Sequence, residues 1–357
     1  MTEAMALETL RQAGNFNPRR MADLMRATIT RMKLDLSAMT ILTEAASGVY
    51  SVTPVIAALA GAKKVLAVTR ESKFATVAEV MAQTRAMEVL CGLEENRVEI
   101  HNRRTLDLFA QADVVTNLGF VRPVDEEAVA AMKATAVISL MCESWELRPG
   151  DVALDACRKK GVPVLGVDED HPDVRVFEYS GPLALKMLIE AQIELHKALV
   201  VIISGDKFGL TIARYLAKAG ISSYLYTSLV EARDDVLARA DAVLIADYCR
   251  ENEVIGQTGD FTAEEFVQAA PLATVIQFAG SNDVEGLRRQ GVIPYPDAKL
   301  QSWRMAQTLA SLGPRPVIEL HTAGIKVGAA LAQARQMTSD PAEIIAWASE
   351  HSPSQMV

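Results

Sequence analysis

Positive charge, cysteine and aromatic residues are all in short supply in this chain. Its 36 Lys and Arg face 45 Asp and Glu, for a formal net charge of −9. General binding to nucleic acid or to anionic membranes needs a basic surface, so the charge balance argues against both. It still allows a small anion held by a few local cations. Only four cysteines occur (Cys91, Cys142, Cys157, Cys249), far apart, with no close metal-ligand spacing and no implied disulfide framework. No apolar run approaches the length of a membrane span. The opening Met1-Thr2-Glu3-Ala4 lacks a basic region followed by an apolar core, so no secretory signal is expected. These absences lead to the expectation of a soluble, cytoplasmic protein.

What is present is a core and a rhythm. Half of the 357 residues are apolar, enough for two domains of ordinary size. Short β-branched runs alternate with amphipathic stretches. Strands are expected at Met39–Thr43, Val65–Thr69, Val98–Ile100 and near Val114, Ala136 and Val162, with helices over Val52–Ala62 and roughly 76–91. A second series starts at Leu199–Ile203, runs through a helix at Gly209–Ala219, and has strands near Tyr224, Ala242, Thr274 and Val292. Continuous apolar strands between helices mark parallel sheets buried on both faces.

The second series repeats the first at low similarity. Gln111-Ala112-Asp113-Val114-Val115 matches Arg239-Ala240-Asp241-Ala242-Val243, and Val124-Asp125-Glu126-Glu127 matches Thr262-Ala263-Glu264-Glu265. Ala136–Leu140 likewise matches Thr274–Phe278, and Lys160-Gly161-Val162 matches Gln290-Gly291-Val292. The expected fold is α/β, with two tandem doubly wound Rossmann-like parallel sheets and a ligand cleft between them. On this reading residues 1–37 form a helical extension, with helices at Ala6–Gln12 and Arg19–Met32 broken at Gly14–Pro18. Residues 38–181 form the first domain, 182–198 a connecting helix and 199–299 the second domain. Residues 300–357 form crossover helices, and Pro316–Leu320 returns to the first unit.

The pattern resembles the superfamily of D-isomer-specific 2-hydroxyacid dehydrogenases, which includes formate and glycerate dehydrogenases. Ala112–Val115, Met132–Ile138 and Asp151–Leu154 carry the resemblance on one side. On the other, Pro316–Gly324 is similar to the family segment that holds the catalytic histidine, here His321. The resemblance implies a nicotinamide-dependent oxidoreductase with NAD or NADP as cofactor. It also implies His321 as general acid–base group, a small hydroxy or keto acid as substrate, and a homodimer.

The residues themselves depart from that pattern. A dinucleotide turn carries glycines so that backbone can approach pyrophosphate at a helix N-terminus. Here the turn reads Ser204-Gly205-Asp206-Lys207-Phe208-Gly209, and only Gly209 sits on the glycine pattern. A carboxylate at Asp206 repels pyrophosphate unless Lys207 offsets it. The next strand ends in Tyr226-Thr227-Ser228, without the acid that holds a ribose diol; this favours NADP over NAD, or no dinucleotide. Asp247 and Gln277 end the following strands and complete the cofactor-side candidates, together with Ser204, Gly205, Lys207, Phe208, Gly209, Thr227 and Ser228.

In the first unit, Glu44, Ser47 and Gly48 lie in the turn after the first strand, where small residues at a helix start can bind an anion. Arg70 ends the next strand, Asn117 the one after Val114–Val115, and Arg122 follows. With His171 these are the substrate-side candidates. Read plainly, the same turn is a tight strand–helix connection with a solvated Arg70, and His171 is a structural histidine. Glu143 and Arg148, in the polar loop Cys142–Pro149, join His321 as catalytic candidates, because acids and a cation at a strand's carboxyl end can bind and protonate a polar substrate. The plain alternative is an exposed acidic loop lidded by Trp145. Asp168 with His171 makes only half a metal site, so no metal is expected.

Three classes of function stay open on these residues: an NAD(P)-dependent oxidoreductase, a non-redox enzyme for a nucleotide-like or amino-acid-like ligand, and a binding protein without catalysis. The eroded phosphate turn supports the second, and the polar strand-end loops weigh against the third.

Overall fold

A computed structural model describes every residue except Phe16. The break expected at Gly14–Pro18 therefore lies partly outside the described residues.

Along the chain the helices and strands are α1 (Glu3–Gln12), α2 (Pro18–Arg31), β1 (Thr40–Glu44), α3 (Val52–Leu59), β2 (Lys64–Val68), α4 (Val77–Leu90), β3 (Val98–His101) and α5 (Leu106–Gln111). They continue with β4 (Val114–Thr116), α6 (Glu126–Ala131), β5 (Val137–Ser139), α7 (Leu154–Lys160), β6 (Val164–Val167), α8 (Ser180–Glu190), β7 (Leu199–Ile203), α9 (Lys207–Lys218) and β8 (Ser222–Tyr226). The last are α10 (Asp234–Leu237), β9 (Ala242–Ala246), α11 (Ala263–Ala269), β10 (Thr274–Ala279), α12 (Val284–Arg289), α13 (Pro314–Met337), α14 (Pro341–His351) and β11 (Ser354–Met356).

Two compact units result. Unit 1 comprises residues 1–176 and 313–357, and unit 2 comprises residues 177–312. Unit 1 holds a seven-stranded sheet in the order β11-β6-β5-β4-β1-β2-β3, parallel except for β11 against β6. Unit 2 holds a four-stranded parallel sheet in the order β10-β9-β7-β8. The α/β architecture of two Rossmann-like sheets expected from the alternating pattern is what the chain adopts.

The repeated blocks have structural meaning. The order β5-β4-β1-β2 in unit 1 corresponds to β10-β9-β7-β8 in unit 2. The paired acidic blocks are helix starts: Asp125 accepts from Ala128 N, and Thr262 with Glu265 forms a capping box. The correspondence stops at the edges. The expected strand near Val292 is reduced to one parallel bridge between Ile276 and Tyr295. No α-helix forms over 300–312; a short 3₁₀ turn at Leu309–Leu312 stands there instead. Helix α8 is shorter than the 182–198 connector expected, because the chain turns at Gln192 with φ of 63°.

The cores follow from the strands' two-sided burial. All five residues of β1 and of β9 are buried. On one face of unit 1, Leu42, Leu66, Val115 and Ile138 pack with Leu108 and Phe109. In unit 2, Val201, Ile203, Val243, Ile245 and Val275 pack with Leu237 and Phe266. Each such side chain contributes about 1.5–3 kcal/mol on burial. The edge strand β8 carries Tyr224 and Leu225 exposed.

Helix α13 belongs to unit 1, so the C-terminal segment completes the first sheet. Gly328 makes that fit possible: a Cβ there would stand 2.4 Å from Val114 Cγ1. No helix among the described residues is long and apolar enough to cross a membrane.

Candidate functional site

In unit 1 the chain runs β1, β2, β3 in one direction and then starts again on the other side of β1 with β4, β5 and β6. The reversal lies between β1 and β4. Open α/β sheets bind ligands beyond the carboxyl ends of the strands at such a point. Glu44 is the last residue of β1, and Asn117 follows β4.

Glu44 is buried, 7% exposed. Its Oε2 accepts the Phe120 N–H at 3.1 Å. Gly119 allows this approach, since a Cβ there would stand 3.3 Å from the same oxygen. Burial pushes the Glu44 carboxyl above its ordinary range; the Phe120 N–H, the Arg122 charge and the Gly119 N–H pull the other way and do not cancel it. The result is a carboxyl group that holds a proton more readily than a surface glutamate.

The surrounding groups are partly committed. Arg122 pairs with Asp151 at 2.5 Å. Asn117 Oδ1 accepts the Met141 N–H at 2.8 Å and ties the end of β4 to the loop after β5. Arg70 is exposed, lies 5.5 Å over the Phe120 ring, and pairs with no carboxylate among the described residues. At the end of β2, Thr69 Oγ1 is buried with no hydrogen-bond partner. The turn carrying Ser47 and Gly48 enters a 3₁₀ helix, and the Gly48 N–H is taken by Gln83 Oε1 at 2.7 Å.

The three residues expected to be catalytic sit in different settings. His321 is buried within α13, where its Nδ1 lies 2.7 Å from Thr53 Oγ1 and its ring 5.9 Å from that of Tyr50. Burial lowers its pKa to about 4, so the imidazole is neutral at pH 7. Glu143 is 1% exposed, and both carboxyl oxygens organise its own loop: Oε2 accepts from Trp145 Nε1 at 2.5 Å and Oε1 from Glu169 N at 3.2 Å. The Glu146 carboxylate returns a bond to Glu143 N. Arg148, half-buried, ends that loop, its carbonyl accepting from Asp151 N. His171 accepts from Asp173 N through Nδ1 at 3.2 Å in the loop after β6.

In unit 2 the corresponding reversal lies between β7 and β9. The β7–α9 turn is closed by its own side chains. Asp206 caps α9, its Oδ1 accepting the Phe208 N–H at 2.9 Å, and its Oδ2 accepts the Tyr248 N–H at 2.6 Å. Ser204 Oγ accepts the Gly209 N–H at 3.0 Å. Two backbone donors at the start of α9, Phe208 N and Gly209 N, are thus already bonded. A second carboxylate, Asp247, stands beside the turn, 3.6 Å from where a Gly205 Cβ would be. Burial raises the pKa of both acids, and repulsion from Asp206 raises that of Asp247 further. Lys207 lies 4.0 Å over the Phe177 ring. Phe208 packs on Phe177 and Phe278 rather than leaving room at the turn.

The remaining cofactor-side candidates are similarly engaged. The Thr227 hydroxyl donates to Glu231, and Ser228 Oγ accepts from Glu231 N. Gln277 is fully buried; its Nε2 donates to Pro296 O and Ala298 O, and its Oε1 accepts from Asn282. Sequence reasoning missed Gly119 and Phe120, whose roles arise from a contact across 76 positions of chain. It also missed Thr53 as the partner of His321. A signal for Gly119 existed, a glycine two residues past a strand-end asparagine, but nothing in the sequence tied it to Glu44.

No family model matches the sequence, and no curated protein matches it. Among solved structures, a dipicolinate synthase component from Bacillus halodurans matches with a TM-score of 0.53 at 13% identity, covering 82% of this chain and 99% of that one. The chain shares that fold. D-mandelate dehydrogenase from Rhodotorula graminis matches with a TM-score of 0.40 at 12% identity, covering 80% of this chain and 92% of that one. D-lactate dehydrogenase from Aquifex aeolicus, in complex with NAD and lactic acid, matches with a TM-score of 0.32 at 15% identity, covering 54% of this chain and 66% of that one.

Proposed function

We propose that this chain is an enzyme that moves protons on a small polar, amino-acid-like or nucleotide-like substrate bound in unit 1. The chemistry is non-redox, of the lyase, hydrolase or transferase kind. The observation that carries this reading is Glu44, a buried acid of raised pKa at the sheet's reversal point. A carboxyl with a raised pKa can give a proton to a substrate and take one back more readily than a surface glutamate. Phe120 N–H holds its orientation. Arg70, just past the end of the neighbouring strand and paired with no carboxylate among the described residues, would take an anionic group of the substrate.

The residues of unit 2 do not fit a dinucleotide. A pyrophosphate at the β7–α9 turn would meet the Asp206 carboxylate at the helix start, with Asp247 beside it. Two of the donors it would use, Phe208 N and Gly209 N, are already bonded within the chain.

A second reading is an NAD(P)-dependent oxidoreductase for a small hydroxy or keto acid. It is favoured by the βαβαβ arrangement of unit 2 and by Gly209 in the third glycine position of the turn. Titration of the full chain with NADH and NADPH, followed by nucleotide fluorescence, separates the two. The non-redox reading expects no saturation below roughly 1 mM, about 4 kcal/mol of binding. Micromolar binding of either nucleotide would replace it with the oxidoreductase reading.

A further inference from the structure

In unit 1, β2 is flanked by β1 on one side and by β3 on the other. Its counterpart in unit 2, β8, pairs with β7 alone among the described residues and ends the sheet. The position that β3 fills in unit 1 is therefore open beside β8.

The open edge has a definite hydrogen-bonding pattern. Tyr226 O accepts the Ser204 N–H at 3.0 Å across the β7–β8 ladder. By the two-residue period of a strand, Tyr226, Tyr224 and Ser222 turn their backbone groups toward β7. Ser223 and Leu225 turn theirs outward, where no backbone partner meets them among the described residues. Natural sheet edges are guarded by lysine, proline or a bulge. Ser222–Tyr226 holds no lysine and no proline, and its register with β7 runs unbroken.

The flank of the strand is uncharged as well. Gly209 of α9 faces it, since a Cβ there would stand 2.7 Å from Leu225 Cδ1. Ala213 and Ala217 follow on the same side of the helix, one and two turns on. Leu210 at the start of α9, Tyr224 and Leu225 on the strand, and Val230 just after it are all exposed.

On a chain of net charge −9, an uncharged strip fits an uncharged partner strand, and a second copy of the chain supplies one. We propose that two copies pair β8 with β8, antiparallel about a two-fold axis at Tyr224, and join their sheets into one. In this register Ser223 stands opposite Leu225 of the partner subunit, and Leu225 opposite Ser223 of the partner subunit. Each such pair exchanges both N–H···O bonds, so no outward backbone group of Ser223 or Leu225 is left unmet. Tyr224 faces its own copy across the axis, an aromatic pair at a non-hydrogen-bonded position. The pairing uses no residue around Glu44 and stands apart from the reading of that site.

The test is sedimentation velocity of the full chain from ~1 to ~100 μM, where a concentration-dependent dimer is expected. Ser223→Pro removes an outward N–H that the sheet does not use. Tyr224→Lys sets like charges face to face across the axis. Each should raise the dissociation constant of the dimer about tenfold or more, with the circular dichroism of the wild type; if the proline variant unfolds, the lysine variant decides. Tyr224→Cys should form a disulfide-linked dimer in air, because directly opposed Cβ atoms of such a pair lie about 4.5–5.5 Å apart, near disulfide reach. Leu272→Cys, at another exposed position of unit 2, should not. A monomer over the whole range would overturn the proposal and leave the edge to a strand of another protein. A dimer that keeps its affinity in Tyr224→Lys, or equal cross-linking of the two cysteine variants, would overturn it too.

Discussion

The carboxylate of Asp206 accepts the backbone N–H of Tyr248 at 2.6 Å, joining the start of α9 to the loop after β9. With its bond to Phe208 N, this places an internal anion where the fold usually receives a ligand's phosphate. Asp206 therefore has two effects, capping a helix and charging its neighbour.

Replacing Asp206 with Ala removes the cap and the tie to Tyr248. A lost N-cap costs about 0.5–2 kcal/mol, and urea denaturation should show a loss in that range. Asp206→Asn isolates the charge. Repulsion from Asp206 helps hold the Asp247 carboxyl above its ordinary range, so its pKa should move down in the Asn variant. Carboxyl-carbon NMR titration reads this directly, and an unmoved Asp247 would show that burial alone sets it.

Glu44→Gln should remove activity on whatever substrate the chain turns over, while leaving it folded. It should also change the pH dependence of stability. The folded pKa of Glu44 is raised, so its contribution is fully present below the unfolded value and is lost as pH rises through the folded one. Glutamine keeps an acceptor for Phe120 N but cannot ionise. Thermal melts of the two proteins should diverge as pH rises into that window, with the Gln variant holding its stability.

His321 acts in the opposite direction. Its pKa falls to about 4 from an ordinary 6.5, so the unfolded chain takes up a proton that the folded chain refuses. The stability it contributes is complete above pH 6.5 and is lost as pH falls from there to about 4. At ~1.4 kcal/mol per pKa unit the loss is on the order of 3 kcal/mol. His321→Gln should be less stable at pH 7 but flatter across this range, as measured by denaturant melts at several pH values.

Gly328→Ala sets two effects against each other. Alanine gains about 1 kcal/mol of helix propensity over glycine. Its Cβ would stand 2.4 Å from Val114 Cγ1 and 3.0 Å from Ser139 Oγ, on strands that cannot give way. Overpacking of about 1–3 kcal/mol should win, giving a net loss. A stabilised variant in a thermal melt would mean that α13 can shift off the sheet.

Much of this protein was legible in its residues. Both-sided burial writes itself as unbroken apolar runs, so β1, β2, β7 and β9 stand out from sequence alone. The repeat, the two sheets and the departure of the Ser204–Gly209 turn from the glycine pattern follow from local chemistry. Other features depended on contacts between distant positions. Gln277 reads as a strand-end binding group but is consumed by Pro296 O and Ala298 O. His321 reads as an acid–base group of ordinary pKa, but burial in α13 lowers that pKa to about 4, and Thr53 lies beside its Nδ1. Glu44 gains its raised pKa only through burial at the end of β1, a rise that the Phe120 and Gly119 N–H groups beyond β4 offset in part. Sequence by itself determined which segments are strands and that a carboxylate stands at the start of α9, since both depend on neighbours in the chain. Tertiary structure alone decided which acids and histidines keep a free, shifted or spent proton, since desolvation and hydrogen bonding are set by residues far away in sequence.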